Sequence, residues 1–201
     1  SSTVFAAVTA EESLAFHRAA DLYRLAVGAP GLAVAERRAL QLRLAECMAN
    51  VGRLDAAIAA LDEASGEHGG DLPAEERREI KRLEIEYALR LGDHDRGLND
   101  ARALLAELGY RIPLSSSGTV ASVAWHGLRL RVRGLEFTPV ATLAPADRER
   151  IDLLWSLTSG LVYVNPGVGR LTQLHHLHAA LRGGDPVRVV RALSLELGTL
   201  A

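Results

Sequence analysis

The sequence predicts an all-α protein built from antiparallel helix pairs, and three observations support this. Apolar side chains recur at spacings of three and four residues through most of the chain, as in amphipathic helices. Glycines stand where several of these segments end, and small side chains occupy positions where paired helices would meet. The turns between the segments are short, which favours antiparallel neighbours.

The clearest helix pair is LAECMANVGRLDAAIAALDEAS, residues 44–65. Gly52 stands at the turn, where a helix end needs a residue that tolerates a left-handed backbone. Small side chains at Ala45, Ala57 and Ala64 let the two helices approach closely. The apolar positions before and after the turn are Leu40, Leu44, Cys47, Met48 and Val51, then Ala57, Ile58, Leu61 and Ala64.

The pattern repeats elsewhere in the first half of the chain. Gly92 follows Gly52 by 40 residues, and the segment LAFHRAADLYRLA precedes the first pair with an offset of 38. A period of this length indicates a helix-pair repeat, whose units bury their faces by stacking. Downstream, Gly97, Leu98 and Ala101 align with Ala57, Ile58 and Leu61 of the clearest pair. Upstream, Ala19, Tyr23 and Ala26 align with Ala57, Leu61 and Ala64.

The small–small–large–small pattern resembles the tetratricopeptide repeat, over about residues 10–110. It is carried by Ala45, Ala57, Leu61 and Ala64, and Leu44 also fits. The chain departs from the family at Gln41, where an aromatic residue is usual, at Gly69, near the place of the closing proline, and in its longer period. The resemblance implies a tetratricopeptide-like α-solenoid, a right-handed superhelix of about four helix pairs.

In that family the first helix of each pair lines a concave groove, which implies a protein or peptide partner here. Carried over by motif position, the groove residues are Arg43, Glu46 and Asn50 in one repeat and Arg82, Glu86 and Arg90 in the next. Arginines there would pair with partner carboxylates in bidentate fashion. The alternative is an ordinary solvated face with pairs such as Glu86–Arg90.

A break near Pro113 separates residues 1–112, the repeats, from residues 113–201, which we expect to continue the solenoid as divergent helix pairs. We expect a helix over 118–134 with an apolar face. Its segment LRLRVR, 128–133, alternates like a strand, but a lone strand would have no ladder partner, so helix is favoured. The residues of that face are Val120, Val123, Ala124, Leu128 and Val132.

Residues 135–144 are predicted to form a loop, and Pro145 to start a helix that ends before Asn165. A further helix is expected over 168–182. The motif Gly183-Gly184-Asp185-Pro186 then ends one helix and caps the next. The last helix is apolar at Val190, Leu193, Leu197 and Leu200. Because that face runs on to the terminus, and the chain starts without Met, we expect a piece of a longer protein.

The segments LLAELGYRIP, IDLLWSLTSGLVYVNP and LHHLHAALRGGDPVRVVRALSLELGTLA resemble the helical region of large bacterial regulators. These regulators carry a serine/threonine protein kinase and an ATPase domain, and the resemblance covers about residues 75–201. It implies a scaffold or sensor segment of a cytoplasmic signalling protein. No phosphate loop surrounds the one lysine, Lys81, and no kinase motif is present. We therefore predict a non-catalytic module without a cofactor.

The histidines His175, His176 and His178 raise a metal hypothesis, since the first and third share a helix face. No third ligand has suitable spacing. Packing histidines with a hydrogen-bonded nitrogen are the preferred interpretation, and no metal is predicted.

GVGR at 167–170 would suit a phosphate at a helix N-terminus, but a helix-to-helix turn explains it fully. The pairs Asp62-Glu63 and Glu75-Glu76 do not face each other on a helix and are interpreted as solvated surface.

Ser115 to Ser117 are candidates for phosphorylation, with a capped linker as the preferred interpretation. The alternative function is a small-molecule sensor whose effector pocket is lined by Trp125, Trp155 and Tyr163. Simple core packing of these aromatics is favoured over it.

Composition limits the classes of partner and of protein that the sequence allows. The net charge of −2 gives no basic surface for nucleic acid. No apolar run is long enough for a transmembrane helix. Cys47 is the only cysteine, so no internal disulfide exists, and we expect it to pack inside a helix in a reducing compartment.

Overall fold

The computed structural model is helical wherever it has regular secondary structure. It describes residues 2–66, 72–112, 116–162 and 164–198, and the side chains of Ser116, Ser117 and Gly198 are outside the description. Within these ranges there are ten helices and no strand, which confirms the all-α prediction. The helices are α1 Ser2–Glu12, α2 Phe16–Val27, α3 Val34–Asn50, α4 Leu54–Gly66, α5 Ala74–Leu91, α6 His94–Glu107, α7 Ser116–Arg133, α8 Pro145–Leu161, α9 Pro166–Gly183 and α10 Pro186–Gly198.

The chain divides into two compact units. Unit 1 is Ser1–Asp93 and contains α1 to α5; unit 2 is His94–Ala201 and contains α6 to α10. The boundary predicted from the sequence at residues 112–113 stays a prediction.

In unit 1 each helix packs on the next one along the chain, from α1 to α5. The alanines predicted at the helix seams are buried, and Ala45 and Ala57 have no exposed surface. Gly52 has φ +80° and closes α3: its N–H bonds to the carbonyl of Ala49, and the N–H of Arg53 bonds to that of Met48. This is the Schellman arrangement, and it turns the chain sharply enough for α3 and α4 to lie side by side.

Unit 2 is arranged around α9, which packs on α7, α8 and α10, while α6 contacts α8. Because neighbours cover α9 on several sides, both apolar and polar side chains of this helix are buried. The buried set includes Leu171, Thr172, Gln173, Leu174, His176 and Leu177. The helix α7 packs chiefly on α9, which is not its neighbour in the sequence.

The local signals predicted for the second half are confirmed. Residues 128–133 belong to α7 and not to a strand. Residues 135–144 are irregular, and α8 begins at Pro145. Gly184 ends α9 with φ +77°, and the side chain of Asp185 accepts the N–H of Arg188 at 2.9 Å, which caps α10.

Two predicted apolar faces are oriented differently from the expectation. On α7, Val120, Leu128 and Val132 are exposed, whereas Leu130 and part of Val123 reach the core. On α10, Val190 and Leu197 are exposed, whereas the unit 2 core takes Val189 and Ala192, with Leu193 partly buried against it. Leu200 lies outside the described residues. In both helices, the side that packs on α9 differs from the predicted apolar face.

Two smaller findings complete the fold. Cys47 is buried in α3, which confirms its packing role, and burial raises the pKa of its thiol to about 11. In the part of the chain that the structure describes, no helix combines the length and apolarity needed to cross a bilayer.

Candidate functional site

The six groove residues predicted from the tetratricopeptide resemblance lie on α3 and α5 of unit 1. Side chains join these two helices directly. The guanidinium of Arg90 donates to the main-chain carbonyl of Ala49 at 3.2 Å, and Arg38 Nη1 lies 3.0 Å from Glu76 Oε2. The structure therefore brings the first helices of two predicted repeats together, as the hypothesis requires. Asn50 is exposed at the end of α3.

The groove arginine on α5 is already paired within its own helix. Arg82 donates to both carboxylate oxygens of Glu79, at 2.9 and 2.7 Å, and to Glu86 at 3.0 Å. Glu86 also lies 3.9 Å from Arg90. These are the i, i+3 and i, i+4 pairs that stabilise helix surfaces. A partner carboxylate would have to displace them to reach the guanidinium of Arg82.

The groove arginine on α3 is more accessible but also has acidic neighbours. Arg43 Nη2 lies 3.4 Å from Glu11 Oε2 of α1, and its Nη1 lies 3.6 Å from Glu46 Oε2. Tyr23 donates its hydroxyl to Glu11 at 2.7 Å, and burial together with this bond raises the pKa of Tyr23 to about 12. Burial also raises the pKa of Glu46, although Arg43 opposes that shift.

Taken together, the predicted groove is a mixed-charge surface across α1, α3 and α5. Exposed pairs of this kind contribute little and exchange easily, about 0–1 kcal/mol each. Peptide binding by Arg43 and Arg82 stays a prediction, because the structure places the residues together but also supplies them with carboxylates.

The most conspicuous surface in unit 2 is an apolar stripe on α7. The stripe consists of Trp125, Leu128 and Val132, which recur at helical spacing, and of Leu135 just beyond the end of the helix. The four residues are 51% to 82% exposed. Sequence analysis recognised Leu128 and Val132 as one face but could not tell that this face is uncovered. Periodicity shows which residues share a face and says nothing about whether a neighbour packs on it.

A cleft of about 710 Å³ lies beside this stripe and is lined by residues of α7, α9 and α10. Its walls are largely apolar, and Leu128 belongs to both the stripe and the cleft. At one end Arg170 holds Glu196 through two hydrogen bonds of 2.5 and 2.7 Å, which ties α9 to α10. The α7 segment contains Arg129, Arg131 and Arg133 and no acidic residue, so this helix is basic.

Two of the three histidines, His175 and His178, have a hydrogen-bonded ring nitrogen, as predicted for packing histidines. The hydroxyl of Tyr110 lies 2.8 Å from Nδ1 of His175, and Nε2 of His178 lies 3.2 Å from the carbonyl of His126. His176 is fully buried, and neither of its ring nitrogens has a partner in the described part of the chain.

Burial lowers the pKa of His175 and of His176 to about 4, and nearby positive charges add to this. Within the described ranges, no three His, Cys, Asp or Glu side chains are grouped so that they could hold a metal ion.

The remaining sequence candidates are dispersed. Residues 167–170 are not a turn between helices, as interpreted from the sequence, but the first turn of α9. The side chain of Asn165 accepts the N–H of Val168 there at 3.2 Å, and Arg170 pairs with Glu196 of α10. The acidic pairs Asp62-Glu63 and Glu75-Glu76 are exposed.

The three aromatic residues of the sensor hypothesis are also distributed over different places. Trp125 lies on the exposed stripe, and Trp155 lies partly buried in α8, with its ring 5.8 Å from that of His176. Tyr163 lies outside the described residues. Ser115 and the side chains of Ser116 and Ser117 also lie outside the described residues, so neither the capped linker nor the alternative of phosphorylation is tested.

No protein-family model matches this chain, and neither a curated protein nor a solved structure matches it. The function proposed below therefore rests on the geometry of the chain itself.

Proposed function

We propose that this chain is a non-catalytic protein-interaction module that binds an amphipathic helix of a partner on the α7 apolar stripe. The observation that carries the proposal is the exposure of Trp125, Leu128 and Val132 on one face of α7, with Leu135 exposed just beyond the end of the helix. Contiguous apolar surface of this kind marks interaction sites on soluble proteins. Burying a large apolar side chain completely is worth about 1.5–3 kcal/mol, so four of them can drive binding.

The charge of α7 selects among possible partner helices. Its three arginines have no acidic residue on the same helix. A partner helix that flanks its apolar face with Glu or Asp would find complementary charge, and a basic helix would be repelled. Helix-in-groove recognition of this type reads apolar anchors at spacings of three, four and seven residues, which match the stripe.

The wider context of the module is also a proposal. Sequential packing of α1 to α5 supports the superhelical, tetratricopeptide-like arrangement for unit 1. The resemblance to kinase–ATPase regulators supports a role as a scaffold segment of a larger cytoplasmic signalling protein. In such a protein, binding of the partner helix would shift the regulator between states by mass action.

The proposal can be tested with two designed peptides that share a leucine face and differ in charge, one flanked by glutamates and one by lysines. Trp125 is one of two tryptophans in the chain, so its burial should shift the fluorescence to shorter wavelength. We expect the acidic peptide to bind at least tenfold more tightly than the basic one. The double variant Leu128→Glu, Val132→Glu should lose this binding.

A matched control is Leu25→Glu, because the exposure of Leu25, 68%, lies between those of Leu128 and Val132, and Leu25 lies on α2 of unit 1. This variant should bind the acidic peptide like the unmodified chain. Equal binding of both peptides, or unchanged binding by the double variant, would contradict the proposal. If sedimentation shows that the chain self-associates through the stripe, and Leu128→Glu abolishes this, the stripe is instead a contact between copies.

A further inference from the structure

Unit 2 contains a second cavity, of about 170 Å³, which none of the sequence hypotheses uses. It is bordered by α7, α8, α9 and Tyr110 and is partly open, since Arg129, Arg133 and Arg182 are exposed. A cavity of roughly 150 Å³ accommodates a molecule the size of benzene, so there is room for one small group. The lining residues are Tyr110, His126, Arg129, Arg133, Asp147, Arg150, Ile151, His178, Ala179, Arg182 and Gly183.

The lining is strongly basic in a chain whose net charge is negative. Four arginines and two histidines face one carboxylate, Asp147, and that carboxylate is already paired with Arg150 at 3.2 Å. The arginines come from three helices, so local sequence does not explain their convergence. Like charges gathered around one cavity repel each other, and a bound anion would relieve that repulsion.

Two of the arginines pair with no carboxylate of the described residues. In the ranges that the structure covers, neither Arg129 nor Arg182 makes an ion pair. Arg133 donates to the main-chain carbonyls of Gly134 and Leu181, at 3.2 and 3.4 Å. These contacts position its guanidinium without neutralising it.

The fourth arginine is held more firmly. The guanidinium of Arg150 lies 5.1 Å from the centre of the Tyr110 ring and donates to the carbonyl of Leu108 at 3.4 Å. Its buried Nε, and the buried Nδ1 of His126, have no hydrogen-bond partner among the described residues. Buried polar atoms are normally satisfied, and the Nε of Arg150 can only donate, so it could bond an acceptor oxygen of a ligand in the cavity.

We propose that this cavity binds the phosphate group of a small phosphorylated molecule. Guanidinium forks match the geometry of phosphate oxygens, and charge-assisted bonds of this kind are the strong ones. A dianionic phosphate concentrates its charge on one group, so it fits four arginines around a small cavity better than succinate, which divides two charges between separate carboxylates. The inference does not use the apolar residues of the α7 stripe, although Arg129 and Arg133 of the same helix line this cavity.

The histidines provide a direct reporter of binding. Burial lowers the pKa values of His126 and His178, and the positive charge of Arg129 lowers both further. An anion in the cavity would offset that positive field, so binding should raise both pKa values.

The first experiment is calorimetric titration of the full chain with inorganic phosphate, pyrophosphate and succinate at low ionic strength. We expect pyrophosphate to bind more tightly than phosphate, and phosphate more tightly than succinate. The double variant Arg129→Gln, Arg182→Gln should weaken phosphate binding at least tenfold. Arg131→Gln is the matched control, because it removes the same charge from α7 at a residue outside this cavity.

The second experiment follows the histidine ring protons by NMR across a pH titration, with and without phosphate. The signals of His126 and His178 should titrate at higher pH when phosphate is present, while the double arginine variant should show no such change. Both variants should keep the helical circular dichroism of the unmodified chain. Absence of phosphate binding at millimolar concentration, equal binding of succinate, or equal weakening by Arg131→Gln would overturn the proposal.

Discussion

His176 shows at the scale of one residue how strongly burial controls chemistry in this chain. This residue of α9 is fully buried, and its ring lies close to Trp155 and to the charges of Arg191 and Asp152. With no hydrogen-bond partner in the described part of the chain, the neutral form is the one that the site tolerates. A buried neutral histidine of this kind makes the folded state sensitive to acid.

The stability of unit 2 should therefore fall as pH is lowered. The pKa of His176 is about 4 when folded, below its ordinary value of 6.5, so the unfolded chain takes up the proton first. The loss begins near pH 6.5 and is complete near pH 4. Between pH 7 and pH 5 this histidine should cost about 2 kcal/mol of unfolding free energy.

Urea unfolding of the unmodified chain and of His176→Leu at pH 7 and pH 5 measures this cost. The leucine variant should lose about 2 kcal/mol less than the unmodified chain over this interval, since it has no proton to take up. Identical losses would show that His176 does not carry the acid sensitivity.

At the scale of elements, the contact between α8 and α9 depends on one small residue. A Cβ on Gly169 would lie 2.8 Å from Val162 Cα, just after the end of α8, and 3.1 Å from the carbonyl carbon of Leu161. These are backbone atoms, which cannot move aside as a side chain can. The two helices can pack this closely only because residue 169 has no side chain.

Gly169→Ala should destabilise unit 2 by about 1–3 kcal/mol, since overpacking forces the two helices apart. Gly127→Ala is the matched control, because Gly127 also lies within a helix but no atom lies within 4 Å of the added Cβ. That variant should be more stable by about 0.5–1 kcal/mol, through lower backbone entropy in the unfolded chain. The midpoint of urea unfolding measures both, and destabilisation of the two variants by the same amount would refute the explanation.

A second element-scale contact fastens the loop after α7 to the end of α9. The N–H of Val140 donates to the carbonyl of Gly184 at 3.0 Å, and a Cβ on Gly184 would lie 2.2 Å from the carbonyl oxygen of Thr138. Sequence analysis assigned Gly184 to a helix cap, which is confirmed. The close approach of the loop is an additional reason for glycine that the sequence did not reveal.

At the scale of the whole molecule, two apolar core clusters each lie within one unit. The cluster of unit 1 extends from Ala7 to Tyr87, and one cluster of unit 2 extends from Leu130 to Ala192. A change in one cluster removes contacts from that unit first. Local opening of the two units should therefore respond to different substitutions.

Hydrogen exchange can check this separation with one variant in each unit. Ala57→Leu overfills the seam of unit 1, where Ala57 has no exposed surface, and should reduce amide protection chiefly in α3 and α4. Gly169→Ala should reduce protection chiefly in α8 and α9. If both variants lower protection over the whole chain to the same extent, the chain unfolds as one cooperative body.

The helices, their ends and their small-residue seams follow from local sequence, because each of these depends on residues only a few positions apart. Gly52 needs a left-handed backbone and Asp185 caps α10 whatever surrounds them. Which faces are covered and which charges meet is known only from the packing of the folded chain. The partners Tyr110 and His175 are 65 residues apart, and the basic cavity takes its arginines from three helices. Such contacts depend on how helices pack, which local periodicity does not encode.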